Sequence, residues 1–597
     1  MTVEPSKEPR ARTDLSLLRK VMPYLKPEWR WYLLALVCAS GSAALTIVQP
    51  WLLKKAIDDY IVPQDLAGIH HIALWFLAAV VTSFVLESVY TMAISYGALT
   101  SITRLRHAVY EHTMDQAQAF FDVRPTGRLL TRATSDVEAL GETLTAGAMT
   151  IVLDVLLVIG ILVAMFSMEP KLTGIMLLAS PLVAFALDRI RRALRRLYAE
   201  VRESLAELNA FTSERLTGVQ VVQLYSDEER AAKQFEERVT RYRDASIRTN
   251  IWDASMYAVV DGLSSITVAF MLWYGSGGIL EGTLTAGLLV AFIDYTNKLF
   301  RPIQEFSSKV AILQRAGAAL EKIFGLLDHH EQITPGTAPL PAPARGHLRL
   351  DHVSFAYNDG PDVLHDVSIE VCPGEVVAVV GRTGSGKSTI ARLLTRAYDG
   401  YHGSITLDGA ELSHLDPTAV RRRIGMVRQD VQIFPGDVRF NVALGADLPD
   451  ETLLEAIRVC HADAAVEKLG GLQGRIGHAG SNLSVGEAQL LSFARTMAHD
   501  PPVVILDEAT ASVDTLTEAR IQAATEAVLE RKTVLVVAHR LSTVMHADRI
   551  VVLGDGRVLE VGSHAELMQR NGRYAELFRQ QFERQALAPE PADAPVG

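Results

Sequence analysis

The sequence predicts a two-part chain, a membrane α-helical bundle of six spans followed by a mixed α/β domain that carries an α-helical subdomain. Three observations predict it. Long apolar segments are confined to the region before residue 315. A glycine-rich run, GRTGSGKS at 381–388, follows a short apolar segment, VVAVV at 376–380, and opens a helix-compatible stretch. A second short apolar segment, VVIL at 503–506, ends in two acids, Asp507 and Glu508.

Composition sets the bounds. A length of 597 residues allows several domains, and a mean hydropathy of +0.17 is high for a chain that also holds a charged domain. The net charge of -11 argues against nucleic acid as a partner. Cys38, Cys372 and Cys460 lie far apart in no CxxC pattern, which suggests neither a metal site nor a disulfide framework and suits a reducing cytosol.

Residues 1–30 read as a cytoplasmic N-terminus with no cleavable signal, closing on an interfacial elbow helix in which Leu17, Leu18, Met22, Tyr24, Leu25 and Trp29 alternate with Arg19, Lys20, Lys26 and Arg30. Residues 31–315 form the membrane domain. Its spans fall at about 31–53, 72–96, 146–166, 172–187, 256–280 and 284–310, the fourth short, holding Pro181, and continuing as an amphipathic helix past Arg189. Arg104, Arg106, Arg124, Arg128 and Arg132 follow the second span, and Arg189, Arg191, Arg192, Arg195 and Arg196 follow the fourth. By the positive-inside rule both long loops and both termini are cytoplasmic.

Glu87, Asp154, Asp253, Asp261 and Asp294 sit in or at the ends of spans, where a charge faces a cavity or a partner. Attraction of a cationic cargo is one reading; pairing with Lys298 or Arg301, or hydration, is the more ordinary one. Trp273, Tyr274, Phe292, Tyr295 and Phe300 offer aromatic surface, equally explained by an interfacial belt or by packing. Residues 316–347 are a linker whose Pro-rich part, TPGTAPLPAPA at 334–344, has little capacity to pack. Residues 348–582 form the α/β domain, and 583–597 are an Ala/Pro-rich disordered tail.

The run 381–388 matches the phosphate-binding P-loop pattern GxxxxGK[ST], so the domain is read as a P-loop NTPase. Gly381, Gly384 and Gly386 let backbone N–H groups wrap a polyphosphate, with Arg382, Thr383 and Ser385 completing the loop and Thr389 following the run. Lys387 supplies charge to the β- and γ-phosphates, and Ser388 a hydroxyl to Mg²⁺. Asp507 would hold Mg²⁺ through water and Glu508 would polarise the attacking water. ATP and Mg²⁺ are therefore the expected cofactors.

With LSVGE at 483–487, these segments resemble the nucleotide-binding domain of ATP-binding cassette (ABC) transporters, and the resemblance adds residue roles. It implies that Tyr357, in VSFAYNDG, stacks on adenine. Gln429, in GMVRQD, contacts Mg²⁺ or the attacking water; His539, in VVAHRLS, is the switch histidine at the γ-phosphate; Asp514, in ASVD, lies at a dimer interface. Ser484 and Gly486 of LSVGE would contact the γ-phosphate bound by a second domain stacked head to tail. The loops FFDVRPTGRLLTRATSDVEAL at 120–140 and ERLTGVQVVQLYSDEERAAKQFE at 214–236 resemble the intracellular loops of exporters, whose coupling helices dock on nucleotide-binding domains. Six spans are the count of an exporter-type half-transporter, and cytoplasmic termini suit a bacterial inner (plasma) membrane.

The family's usual signature is LSGGQ, and this chain departs from it. Val485 adds a branched side chain where backbone approaches phosphate, and Glu487 adds negative charge near a polyphosphate. With Glu508 present, the chain resembles the catalytic-glutamate half of asymmetric multidrug or lipid exporters. That resemblance implies a second half-transporter bearing LSGGQ and lacking the catalytic glutamate, a lipid bilayer, and a drug, lipid or peptide as the hydrophobic or amphipathic substrate. A symmetric homodimer and an ATP-gated channel or regulatory subunit are the alternatives; Glu508 and His539 favour turnover over gating.

Overall fold

The structure, a computed structural model, describes residues 15–358, 360–507, 515–538 and 541–581. Two compact units divide the chain. One comprises Met1–Met114 and Thr126–His329, the other Asp115–Pro125 and His330–Gly597.

The first unit is helical. Its long helices are Trp29–Lys55, Leu66–Met114, Ala148–Met168, Pro170–Thr217, Glu228–Leu280 and Ala286–Leu327, and each takes up one of the six expected spans. Among the described residues, four stretches are long and apolar enough to cross a membrane: Arg19–Ile61, Leu66–Met114, Thr126–Met168 and Glu228–Leu280. The 49 residues of Leu66–Met114 reach about 74 Å at 1.5 Å per residue, well beyond a hydrocarbon core of about 30 Å. Long polar extensions therefore project past the apolar runs. The fourth helix continues unbroken to Thr217, as its basic continuation predicts. The elbow helix is shorter than expected, Leu15–Leu25, because Lys26–Glu28 tighten into a 3₁₀ turn at Pro27.

Local chemistry fixes the helix junctions. Glu169 caps the helix that Pro170 opens, accepting from the Lys171 N–H at 3.3 Å. Asp58 accepts from the Thr285 hydroxyl at 2.5 Å and from the Gly287 N–H at 2.8 Å, satisfying the start of Ala286–Leu327. Only glycine fits at 287, since a Cβ there would lie 2.5 Å from the Lys54 carbonyl oxygen.

The apolar core of this unit gathers Ile161, Met165, Leu172, Met176, Met271 and Phe292 around Tyr295, whose hydroxyl donates to the Ile47 carbonyl at 2.6 Å. Phe292, Tyr295 and Phe300 are thus packing residues, whereas Trp273 and Tyr274 are exposed. Two of the acids within the spans are paired. Asp294 meets Lys298 at 3.0 Å, and Asp154 meets Lys309, which also holds Glu305 at 3.1 Å. Arg301 pairs with Glu305 instead.

The second unit is layered. Strands β1 (Leu348–Ala356), β2 (Asp362–Val371), β4 (His402–Leu407) and β5 (Ala410–Glu411) form an antiparallel sheet in the order β2-β1-β4-β5. Strands β3 (Val376–Gly381), β6 (Ile424–Val427), β9 (Val503–Asp507), β10 (Thr533–Val537), β11 (Arg549–Gly554) and β12 (Arg557–Gly562) form a second sheet, ordered β12-β11-β3-β10-β9-β6 and parallel except for β12. The runs VVAVV and VVIL are apolar throughout because both faces of this sheet are covered. Val376, Ala378 and Val380 enter one core and Val377 and Val379 the other, the period of two that a strand imposes. A helical subdomain follows β6. It holds a small antiparallel pair, β7 (Gly436–Asp437) and β8 (Arg475–Ile476), with the helices Val438–Ala443, Asp450–Val459, Asp463–Leu469 and Val485–Ala498.

Two expectations need correction. The helix Ala286–Leu327 carries well into the expected linker. The Pro-rich segment also packs. Ala338 and Leu340 lie on the antiparallel core, and the Gly336 and Ala338 N–H groups donate to the Leu415 and His414 carbonyls at 3.2 and 3.0 Å. Proline removes donors only at its own positions, so the residues between prolines still bond as an extended edge.

Candidate nucleotide site

The phosphate loop leaves β3 at Gly381 and enters the helix Lys387–Leu394. Gly384 and Gly386 have φ of +86° and +101°, a region side chains rarely adopt. A Cβ at Gly381 would lie 2.3 Å from the Leu553 carbonyl oxygen, and one at Gly386 2.6 Å from Leu364 Cδ2. The loop's path therefore depends on these glycines.

Lys387 is buried and turns back on the loop, donating to the Gly381 and Arg382 carbonyls at 2.7 and 3.1 Å. Burial lowers its pKa, and the charge of Asp507 opposes that shift. Ser385 Oγ is buried with no hydrogen-bond partner, while Arg382, Thr383, Gly384 and Ser388 are exposed and Thr389 is buried. An orphaned hydroxyl, a lysine spending its donors on loop carbonyls and a cradle of glycines together fit a polyphosphate.

Asp507 ends β9, which is separated from β3 only by β10. Gln429 lies exposed just beyond β6, the neighbour of β9 on its other side. Phosphate loop, Asp507 and Gln429 thus share the carboxyl edge of one parallel sheet, where such sheets bind ligands. Oxygen donors from Ser388, Asp507 and Gln429 suit a hard cation such as Mg²⁺. Glu508, Asp514 and His539 lie outside the described residues; in sequence Glu508 directly follows β9, and His539 follows β10 by two positions.

Tyr357 follows β1 and donates to Thr389 Oγ1 at 3.0 Å, next to the phosphate loop. Phe355 and Tyr398 meet its ring edge-on, at centroid distances of 5.0 and 4.9 Å. Arg392 lies over it at 5.8 Å. The short helix Gln118–Val123, from the loop after the second long helix, folds with this unit. Ala119 packs on the antiparallel core, and Asp122 accepts from the Tyr398 hydroxyl at 2.6 Å and pairs with Arg392 at 3.2 Å. Neither Arg392 nor Tyr398 was singled out from the sequence, because neither carries a motif.

The signature segment caps the helix Val485–Ala498. Ser484 Oγ accepts from the Glu487 N–H at 3.1 Å, and Glu487 Oε2 accepts from the Ser484 N–H at 2.7 Å, a reciprocal capping box. Lys468 Nζ lies 3.0 and 3.1 Å from the two carboxylate oxygens of Glu487. Partial burial alone would raise the Glu487 pKa, but the Ser484 N–H and Lys468 outweigh it and hold the carboxyl below its ordinary value. Glu487 is thus charged, as its residue type leads one to expect, and that charge is paired with Lys468. The Ser-x-x-Glu spacing could have announced the cap; Lys468, on another helix, could not be read. Gly486 is buried, Val485 is 65% exposed, and no hydrogen bond among the described residues joins Ser484 or Gly486 to the phosphate loop.

Known proteins share this arrangement. The ABC transporter transmembrane region matches residues 32–303, and a second family model, ABC transporter, matches residues 364–511. An ATP-dependent lipid A-core flippase of Alkalilimnicola ehrlichii is 33% identical over 585 residues, covering 97% of this chain and 98% of that protein. An uncharacterized ABC transporter ATP-binding protein of Bacillus subtilis is 30% identical over 584 residues, covering 97% and 96%. The solved structure of a bacterial Atm1-family ABC exporter with ATP bound superposes with a TM-score of 0.72 at 26% identity, covering 94% of this chain and 99% of that one.

Proposed function

The chain belongs to the ABC transporter family, with the family's transmembrane region and ATP-binding domain in one polypeptide, and from that premise we propose that it is one half of a heterodimeric exporter for an amphipathic or hydrophobic substrate. The family membership carries ATPase activity coupled to transport. ATP with Mg²⁺ supplies, when bound, the free energy that closes and resets the transporter. In this reading Lys387 and the loop N–H groups hold the phosphates, Ser388, Asp507 and Gln429 hold the cation, Tyr357 stacks on the base, Glu508 polarises the attacking water, and His539 serves as the switch histidine for the γ-phosphate. The basic loops after the second and fourth spans support a cytoplasmic ATP-binding unit, an orientation that suits a bacterial inner membrane.

The observation that carries the heterodimer is Val485, 65% exposed at the first position of a helix whose start would meet the partner's nucleotide. Its branched side chain keeps the partner's phosphate from the Gly486 N–H, so this chain's signature serves the weak site while its phosphate loop and Glu508 serve the competent one. The helix Val219–Leu224 supports a dimeric assembly, since Leu224 and the adjacent Tyr225 are each 81% exposed. A lipid-like cargo is favoured by relatives named as lipid A-core flippases and by the pairing of Asp154 and Asp294 with lysines, which removes two anchors for a cation.

A homodimer is the second reading, favoured by Lys468, which neutralises the Glu487 charge. Intact mass of the complex in mild detergent separates the two. A second half-transporter with LSGGQ and no catalytic glutamate supports the heterodimer; a complex of two copies of this 65.3 kDa chain overturns it.

A further inference from the structure

The antiparallel pairing of β1 and β2 sets Leu348 opposite Val371 and Arg349 opposite Glu370. Carried one step further, that register puts His347 opposite Cys372. Side chains alternate across a strand, and Leu348, Leu350, Ile369 and Val371 are buried. His347, Glu370 and Cys372 accordingly share the outer face. Their ligand atoms all lie within 4.8 Å of one another, with His347 Nε2 only 2.9 Å from Glu370 Oε1. Cross-strand neighbours on one face converge in this way.

We propose that His347, Glu370 and Cys372 form a binding site for a zinc-type divalent ion, remote from the nucleotide motifs. Nitrogen, oxygen and sulfur donors are the borderline set that zinc and cobalt accept, and a thiolate excludes the magnesium used at the phosphate loop. Bonds of about 2.0–2.3 Å place tetrahedral ligands roughly 3.3–3.8 Å apart, so the His347–Glu370 spacing needs almost no change and Cys372 a small side-chain rotation. Three protein ligands leave the fourth position to water. On binding, the Cys372 thiol gives its proton to solvent and the imidazole coordinates as the neutral base.

The surroundings permit a cation. Two arginines adjoin the site: Arg549 is engaged by both Glu375 oxygens and by the Glu370 carbonyl, and Arg349, opposite Glu370, pairs with Asp351 at 3.3 Å, leaving the Glu370 carboxylate to His347. Glu375 also accepts from the Cys372 N–H at 2.8 Å, which fixes the backbone of that ligand. The His347 N–H donates to Asp408 at 2.9 Å, fixing the other strand. The ion would clamp the start of β1, where the chain leaves the Pro-rich segment, to the end of β2. No sequence spacing announces the site, because its ligands come from two strands.

The test uses tag-free full-length protein in detergent, with Co²⁺ as the probe. Cys38 and Cys460 are buried, so a thiolate-to-cobalt charge-transfer band reports Cys372. The expected result is one Co²⁺ per chain with that band, displaced by Zn²⁺ but not by excess Mg²⁺. Cys372→Ser removes the band while Mg²⁺-dependent ATPase activity, measured without added Co²⁺ or Zn²⁺, stays at the wild-type rate, and His347→Ala or Glu370→Gln weakens binding by at least the ~10–100-fold typical of disturbed metal shells. Absence of the band in the wild-type protein, or its survival in Cys372→Ser, overturns the proposal.

Discussion

Lys468 Nζ bridges both carboxylate oxygens of Glu487, at 3.0 and 3.1 Å, and so neutralises the one acidic side chain of the signature segment. Lys468 is more than half exposed, so the pair contributes only about 0–1 kcal/mol to stability. Its electrostatic effect on a facing phosphate is larger, because Glu487 sits at the helix start where the nucleotide would lie. Lys468→Met should leave thermal stability nearly unchanged while lowering nucleotide occupancy at the site this signature faces, measured with a fluorescent ATP analogue. Glu487→Gln keeps the capping geometry and should not lower it. Equal occupancy in Lys468→Met and wild type would remove the charge argument.

Lys387 donates to two loop carbonyls, so its removal costs the site both a charge and a fixed loop shape. Lys387→Met should reduce ATPase activity by about 100-fold or more, the scale of a lost transition-state donor. Circular dichroism should remain that of the folded protein. Near-normal turnover would exclude Lys387 from phosphate binding.

The phosphate loop was legible because its signal is local: a strand buried on both faces, glycines with φ beyond +80° at Gly384 and Gly386, and a lysine at the helix start all fall within a dozen positions. The mixed α/β character of the second domain and the long helices followed from periodicity and length in the same way, whereas the separate antiparallel sheet carried no such signal. Lys468 against Glu487, Asp122 against Tyr398, and His347 against Cys372 were not legible, since each joins elements that only the topology brings together. The packing of Ala338 and Leu340 was missed for a different reason, that proline content was read as an inability to pack while the intervening residues retain donors and apolar surface.

Gly381 tests the steric account of the loop. A Cβ there would press to 2.3 Å from the Leu553 carbonyl and 2.7 Å from Ser385 Oγ, and Leu553 belongs to β11, hydrogen-bonded beside β3. Backbone cannot rotate away as a side chain can. Gly381→Ala should destabilise the ATP-binding unit by about 1–3 kcal/mol and weaken ATP binding together. Gly400, with no heavy atom near its would-be Cβ but φ of +85°, is the control for backbone strain alone, and Gly400→Ala should cost stability without a matching loss of ATP affinity.

Asp122 gives the ATP-binding unit a pH-dependent contact. Burial opposes ionisation of its carboxyl, but hydrogen bonds from Tyr398 and Gln118 and the charges of Arg392 and Arg428 prevail and hold its pKa below the ordinary carboxylate value. For the Tyr398 phenol, burial and then the hydrogen bond to Asp122 raise the pKa, so it stays the donor. A carboxyl whose folded pKa is depressed adds stability above its unfolded pKa and loses it as pH falls through the folded value. Attachment of the helix Gln118–Val123 should therefore be constant near neutrality and weaken only in acid, below the usual carboxylate range. Hydrogen exchange of that helix against pH measures it. Asp122→Asn should exchange faster at neutral pH and flatten the acid limb; an acid limb unchanged in Asp122→Asn would assign the titration to another group.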